Sequence, residues 1–80
     1  MRYYGEKIEH DAEAGVYYAE VGGEYIEEAR LTDIKSMVCA LVVSDGDYAF
    51  AFEMRGMDEE DIEQIYNNYL NYDWPTIKTN

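Results

Sequence analysis

Nucleophilic chemistry in this chain has one thiol and one imidazole to draw on. Covalent catalysis needs an activated Ser, Cys or Thr beside a base. Cys39 lies inside the apolar run Met37-Val38-Cys39-Ala40-Leu41-Val42-Val43, and His10 lies among Glu9, Asp11 and Glu13. The first setting suits a buried, inert thiol and the second a surface histidine. A single cysteine allows no intrachain disulfide, which fits a cytoplasmic setting. Paired carboxylates do acid–base work when burial or proximity splits their pKa values. With 18 Asp and Glu in the chain, adjacent pairs arise from composition alone, and none is embedded in an apolar segment. Glu20 and Glu53 stand singly within strand-like stretches and fit outward positions.

Cation and phosphate sites fare no better. An EF-hand loop needs ligands at positions 1, 3 and 5, Gly at 6 and Glu at 12. Counting from Asp45, Asp47 falls at the second ligand position, but Ala49, Phe50 and Gly56 fall where the next ligand, the glycine and the glutamate belong. Counting from Asp58 gives no glycine. A structural zinc site needs a cluster of Cys and His that this chain lacks. Gly22-Gly23 fits neither glycine-rich phosphate frame and is followed by Glu24. Arg2, Lys7, Arg30, Lys35, Arg55 and Lys78 are scattered, so no basic stripe for nucleic acid forms. The expectation is a protein that is not an enzyme, with no catalytic residue, metal or cofactor.

What is left is the acid itself. Eighteen acids against six bases give a formal net charge of −12, whereas solubility asks for only about 2–8 in a small domain. Nucleic-acid phosphates and anionic membranes are repelled by such a chain. The expected partner is a basic, Arg/Lys-rich protein surface, with no direct nucleic acid and no membrane. Eight acids fall in residues 1–28 and six in 58–73, while 29–57 hold four. The candidate partner-binding residues are Glu20, Glu24, Tyr25, Glu27 and Glu28 in the first group, and Asp58, Glu59, Glu60, Asp61 and Glu63 in the second. Alternate residues on a strand are about 6–7 Å apart, and helical residues i and i+4 rise about 6 Å. Either spacing presents carboxylates in a row. An arginine fork accepts carboxylate and phosphate alike. Tyr17, Tyr18, Tyr25, Tyr66 and Tyr72 are interleaved as possible aromatic anchors. The plainer reading of Asp58 to Asp61 is a well-capped helix start, and of Glu24 to Glu28 a solvated strand face.

These residues need elements to hold them. Eighty residues suit one domain, 1–80, and the hydrophobic fraction of 48 % and aromatic fraction of 15 % are those of a folded chain rather than an acidic tail. The first residues do not read as a signal peptide, and no apolar run approaches the ~18 residues of a membrane span. Residues 2–9 form a candidate strand and 11–15 a turn. Val16 to Val21 and Glu24 to Glu28 flank Gly22-Gly23 as a hairpin. Residues 29–36 suit a loop or a short helical turn. Met37 to Val43 predicts a central strand, and Ser44 to Asp47 a turn with an Asp-Gly pair. Tyr48 to Met54 alternates large and small, which predicts a strand with Tyr48, Phe50, Phe52 and Met54 on the core. Asp58 suits an N-cap for a helix over 59–71 carrying Ile62, Ile65, Tyr66, Tyr69 and Leu70 at helical spacing. Pro75 ends it, Trp74 folds back onto the core, and the tail from about 75 is mobile. The fold expected is α+β, an antiparallel meander of four to five strands with one C-terminal helix packed on a face.

The chain length, the Tyr-rich acidic composition, the sheet-plus-helix pattern and the clusters Glu24-Tyr25-Ile26-Glu27-Glu28 and Asp58-Glu59-Glu60-Asp61 together resemble a class of small phage- and mobile-element-encoded inhibitors. These are the DNA-mimic anti-CRISPR and antirestriction proteins. The resemblance covers the whole chain. It implies an inhibitor that occupies the nucleic-acid-binding surface of a bacterial defence nuclease or CRISPR effector, in the cytoplasm of an infected cell. Two other functions fit the same residues. One is an immunity or antitoxin-like protein that neutralises a basic nuclease toxin. The other is a non-catalytic adaptor that forms a homodimer through a free sheet edge.

Overall fold

The computed structural model describes residues 1–71, and side chains as far as Asn68. Trp74, Pro75, Tyr72, Lys78 and the expected mobile tail lie outside the described residues.

Short-range turn chemistry builds the N-terminal half. Tyr4 and Gly5 both take positive φ, at 55° and 79°, and fold residues 2–7 into a small hairpin. Its strands are β1 (Arg2–Tyr3) and β2 (Glu6–Lys7). The expected single strand over 2–9 is therefore split. A second sheet follows, with β3 (Glu9–Asp11), β4 (Val16–Val21) and β5 (Glu24–Glu28) antiparallel in that order. The Asp11 carboxylate accepts from the Glu13 and Ala14 amides and closes the β3–β4 turn. Gly22 and Gly23 take φ of 58° and 87°. These are the positive values that a two-residue hairpin loop requires, and Val21 pairs with Glu24 across it.

The central segments depart from expectation. Residues 37–43 are not a strand but the second half of a helix, α1 (Leu31–Val43). The apolar run is continuous because α1 is enclosed. It packs against β4 and β5, against α2 (Tyr48–Glu53) and α3 (Glu59–Asn71), and against β1. Ile34 and every residue from Ser36 to Leu41 are buried. Where a helix is covered on every side, as α1 is over residues 37–41, it is apolar on every side, and that stretch alone shows no helical period. Ser44 to Asp47 is a turn, as expected, but it joins two helices rather than two strands. Asp47 accepts from the Phe50 amide at 3.1 Å and caps α2.

In α2 the alternation of large and small residues does not sort them as a strand would. Ala51 is fully buried, Met54 is buried and Phe50 is half-buried. Tyr48 and Phe52, one helical turn apart, are exposed and stack with ring centroids 6.4 Å apart. They are not core residues. The architecture is α+β, as expected, but the described residues form three helices in place of one and two small sheets in place of a single meander. Only α3 matches the expected helix bounds, with Ile62 fully buried against α1.

Candidate functional site

Pairing register decides which side chains of the hairpin share a face. Glu9 opposes Tyr18, which opposes Glu27, and Glu20 opposes Tyr25. Residues directly opposite lie on one side of a sheet. The side carrying Ala19, Val21 and Ile26 is buried. The other side therefore presents Glu9, Asp11, Tyr18, Glu20, Tyr25 and Glu27 outward. Tyr25 is 56 % exposed, and its hydroxyl donates to Glu27 at 2.9 Å. That bond to a carboxylate is the main cause that pushes the Tyr25 phenol up. The Tyr18 and Tyr25 rings lie 6.1 Å apart at an interplanar angle of 35°.

The two remaining hairpin candidates lie on the opposite side. Glu24 and Glu28 follow the register of Ile26, so both are half-buried. The Glu28 carboxylate, with its side chain only 13 % exposed, pairs with Arg55 at 3.4 Å. Glu28 ties the sheet to the segment after α2, and β5 offers outward charge only at Glu27.

The second acidic group is divided in the same manner. On α3, Glu59 and Glu63 are one turn apart and receive hydrogen bonds from the hydroxyls of Tyr3 and Tyr4, respectively. This Tyr–Glu clamp fastens the β1–β2 hairpin to α3. Burial, followed by the bond to Glu59, raises the Tyr3 phenol; the bond to Glu63, followed by burial, raises Tyr4. Lys35 lies over the Tyr3 ring at 4.9 Å from its centroid. Asp58, Glu60 and Asp61 are exposed. Asp58 precedes α3 and its carbonyl accepts from the Ile62 amide at 3.0 Å. Glu60 and Asp61 are bound to no partner among the described residues, and with Glu63, Gln64 and Asn67 they line a shallow depression.

The ten candidates do not converge on one plate. Glu20, Tyr25 and Glu27 lie on the outward sheet face, while Glu60 and Asp61 lie on α3, and both elements pack on α1. Sequence reasoning omitted Glu9, Asp11 and Lys7 from the hairpin group. Their signal was faint: Glu9-His10-Asp11 alternates with period two, but its pairing partner cannot be read from a three-residue strand. Among the expected anchors, Tyr17 lies on the inner side against His10, with centroids 4.4 Å apart, and Tyr66 lies against Phe50 at 5.3 Å.

Every described cation already has a neighbour. Lys7 pairs with Glu9 at 2.9 Å, Arg30 with Asp33 at 3.8 Å and Arg55 with Glu28. Arg2 donates to the Gly5 carbonyl and Lys35 caps the Tyr3 ring.

Cys39 is fully buried, and burial pushes its thiol up, so it holds a proton at neutral pH. His10 is exposed, and no hydrogen bond joins it to Cys39 among the described residues. No group of three or more His, Cys, Asp or Glu is placed to hold a metal ion among the described residues. No described helix is long and apolar enough to cross a membrane. No protein-family model matches the chain, nor does any curated protein or solved structure.

Proposed function

We propose that this chain is a non-catalytic inhibitor that binds the basic nucleic-acid-binding surface of a bacterial defence nuclease, by presenting ordered carboxylates in place of phosphates. The observation that carries the reading is the placement of the net charge of −12. Glu9, Glu20, Glu27, Glu60 and Asp61 stand on regular strands and a helix, while each described cation is occupied within the molecule. Carboxylates on a fixed frame lose little freedom on docking, and arginine accepts them as it accepts phosphate. A long-range negative field also speeds encounter with a basic channel.

At β5, one of the sheet's two edge strands with β3, charge weighs against an adaptor that dimerises by self-pairing. Antiparallel self-pairing centred on Ile26 sets Glu24 opposite the Glu28 of a second copy and Tyr25 opposite its Glu27. Like charges directly opposite destabilise a ladder.

Cleavage assays test the reading. The purified chain is added to a panel of CRISPR effectors, restriction endonucleases and nuclease toxins with their DNA substrates. Inhibition of at least one effector or restriction enzyme is expected, falling steeply between about 50 and 200 mM salt. Inhibition confined to toxins supports the immunity-like reading instead. No inhibition across the panel at low salt refutes both, as does inhibition indifferent to salt and to charge reversal at Glu20, Glu27, Glu60 and Asp61.

A further inference from the structure

The outward sheet face contains more than charge. A surface pocket of about 240 Å³ opens on it, lined by Lys7, Glu9, Tyr18, Ala19, Glu20 and Tyr25. Two carboxylates and two phenol rings converge there, each in register with a neighbour: Glu9 opposite Tyr18 and Glu20 opposite Tyr25. Of the two carboxylates, Glu9 is occupied by the ammonium of Lys7 at 2.9 Å. Glu20 has no partner among the described residues. The pocket therefore already receives one cation, supplied by the chain, and retains a second carboxylate beside two aromatic rings.

We propose that this pocket is a receptor for a single arginine side chain of the basic partner, with Lys7 as a built-in competitor for its charge. This rests on the basic-surface reading above and gives it a place in the fold. Charge complementarity selects a cationic occupant, and the rings select arginine over lysine. A guanidinium is planar, stacks on a tyrosine face and bonds a carboxylate through two parallel N–H groups, whereas an ammonium is a compact, strongly hydrated point charge. The alternative acidic surface on α3 has Glu60 and Asp61 lining a depression with no aromatic ring among its described residues. Its other carboxylates, Glu59 and Glu63, are engaged by Tyr3 and Tyr4. The partner's arginine inserts beside Glu20, its plane against Tyr18 or Tyr25, and Lys7 is drawn away from Glu9 or repelled by the incoming charge.

Lys7 makes the proposal separable from general electrostatics. Removing any one cation makes the net charge one unit more negative, and a uniform field responds equally wherever the cation stood. A pocket responds to Lys7 alone. The probe is a fluorescein-labelled hexa-arginine peptide, read by anisotropy on the full chain at low salt, with hexalysine as the second arm. Lys7→Gln is expected to tighten hexa-arginine binding roughly two- to fivefold, the range of an exposed ion pair, while Arg30→Gln changes it by less than about 1.5-fold. Glu20→Gln is expected to weaken binding several-fold more than Glu53→Gln, which removes the same charge from exposed α2. Tyr25→Leu, with its fold checked by circular dichroism, is expected to erase the preference for arginine over lysine. Salt-sensitive binding in which Lys7→Gln matches Arg30→Gln, or Glu20→Gln matches Glu53→Gln, overturns the pocket and leaves the basic-surface reading standing. Absence of binding at low salt overturns both.

Discussion

Ser36→Ala should uncouple α1 from the turn that launches α3, and its cost follows from two hydrogen bonds. Ser36 is 2 % exposed. Its Oγ donates to the Asp33 carbonyl at 2.8 Å and accepts from the Gly56 amide, also at 2.8 Å. The second bond spans 20 residues of sequence and holds Gly56, at φ 87°, between α2 and α3. Alanine removes both bonds and leaves the partly buried Gly56 N–H without an acceptor. A lost hydrogen bond costs about 1 kcal/mol net, and an orphaned donor about 1–3. Alanine returns up to about 0.5 kcal/mol through its better helix propensity. The net expectation is a loss of roughly 1.5–4 kcal/mol, or a Tm lower by about 6–32 °C for a chain of this size. Urea denaturation followed by circular dichroism measures the first quantity, with an unchanged m-value showing that the unfolded state is untouched. Hydrogen exchange supplies a local readout, in which the Gly56 amide loses protection ahead of amides in the centre of α1. A loss below about 0.5 kcal/mol with Gly56 still protected would refute the reasoning, because the amide would then have another acceptor.

Two further outcomes follow from the same contacts. Tyr3 and Tyr4 keep their protons in the folded state above the reference value of 10.0, because burial and the bonds to Glu59 and Glu63 disfavour the phenolate. The stability this contributes is complete below pH 10.0 and is lost as pH rises toward the folded values, since the unfolded tyrosines ionise first; thermal melts should fall steeply above pH 10.0, and the double variant Tyr3→Phe/Tyr4→Phe should flatten that fall. Phe52→Ser removes a ring that is 50 % exposed, stacked on Tyr48 and covered by Arg55 at 4.7 Å. It should cost less than about 1.5 kcal/mol by chemical denaturation, as a lost surface aromatic contact does, and not the roughly 3–5 kcal/mol of a core aromatic, which would instead indicate a core-facing strand position.

Local chemistry made some elements legible from sequence. Gly22-Gly23 is required where two successive residues take positive φ, so the β4–β5 hairpin follows from the pair and its strand-forming flanks. The acids before Ile62 complement a helix N-terminus, and the spacing of buried Ile62 with half-buried Ile65 and Tyr66 marks one inward stripe on α3. The middle of the chain was not legible in the same way. Met37 to Val43 is apolar throughout, and a continuous run is compatible with a covered strand or an enclosed helix. Leu31, Ile34, Val38 and Leu41 do recur at helical spacing, but that series begins in a segment expected to be a loop. For Tyr48 to Met54, period-two alternation arose from a short helix whose single fully buried residue is Ala51.

The candidate site divides along the same line. By itself the sequence determined the charge, its distribution to either side of an apolar middle, and the absence of metal-loop and phosphate-loop motifs, because these are properties of composition and spacing. Which acids stand free was decided by tertiary structure. Glu28 meets Arg55 from 27 positions away, and Glu59 and Glu63 meet tyrosines 56 and 59 positions away. Strand pairing placed Glu9 opposite Tyr18 and Glu20 opposite Tyr25, and Lys7, from the neighbouring hairpin, reaches the same pocket through Glu9. The physical reason is that charge is fixed residue by residue, whereas its availability depends on which distant group can approach within hydrogen-bonding distance once α1 is enclosed.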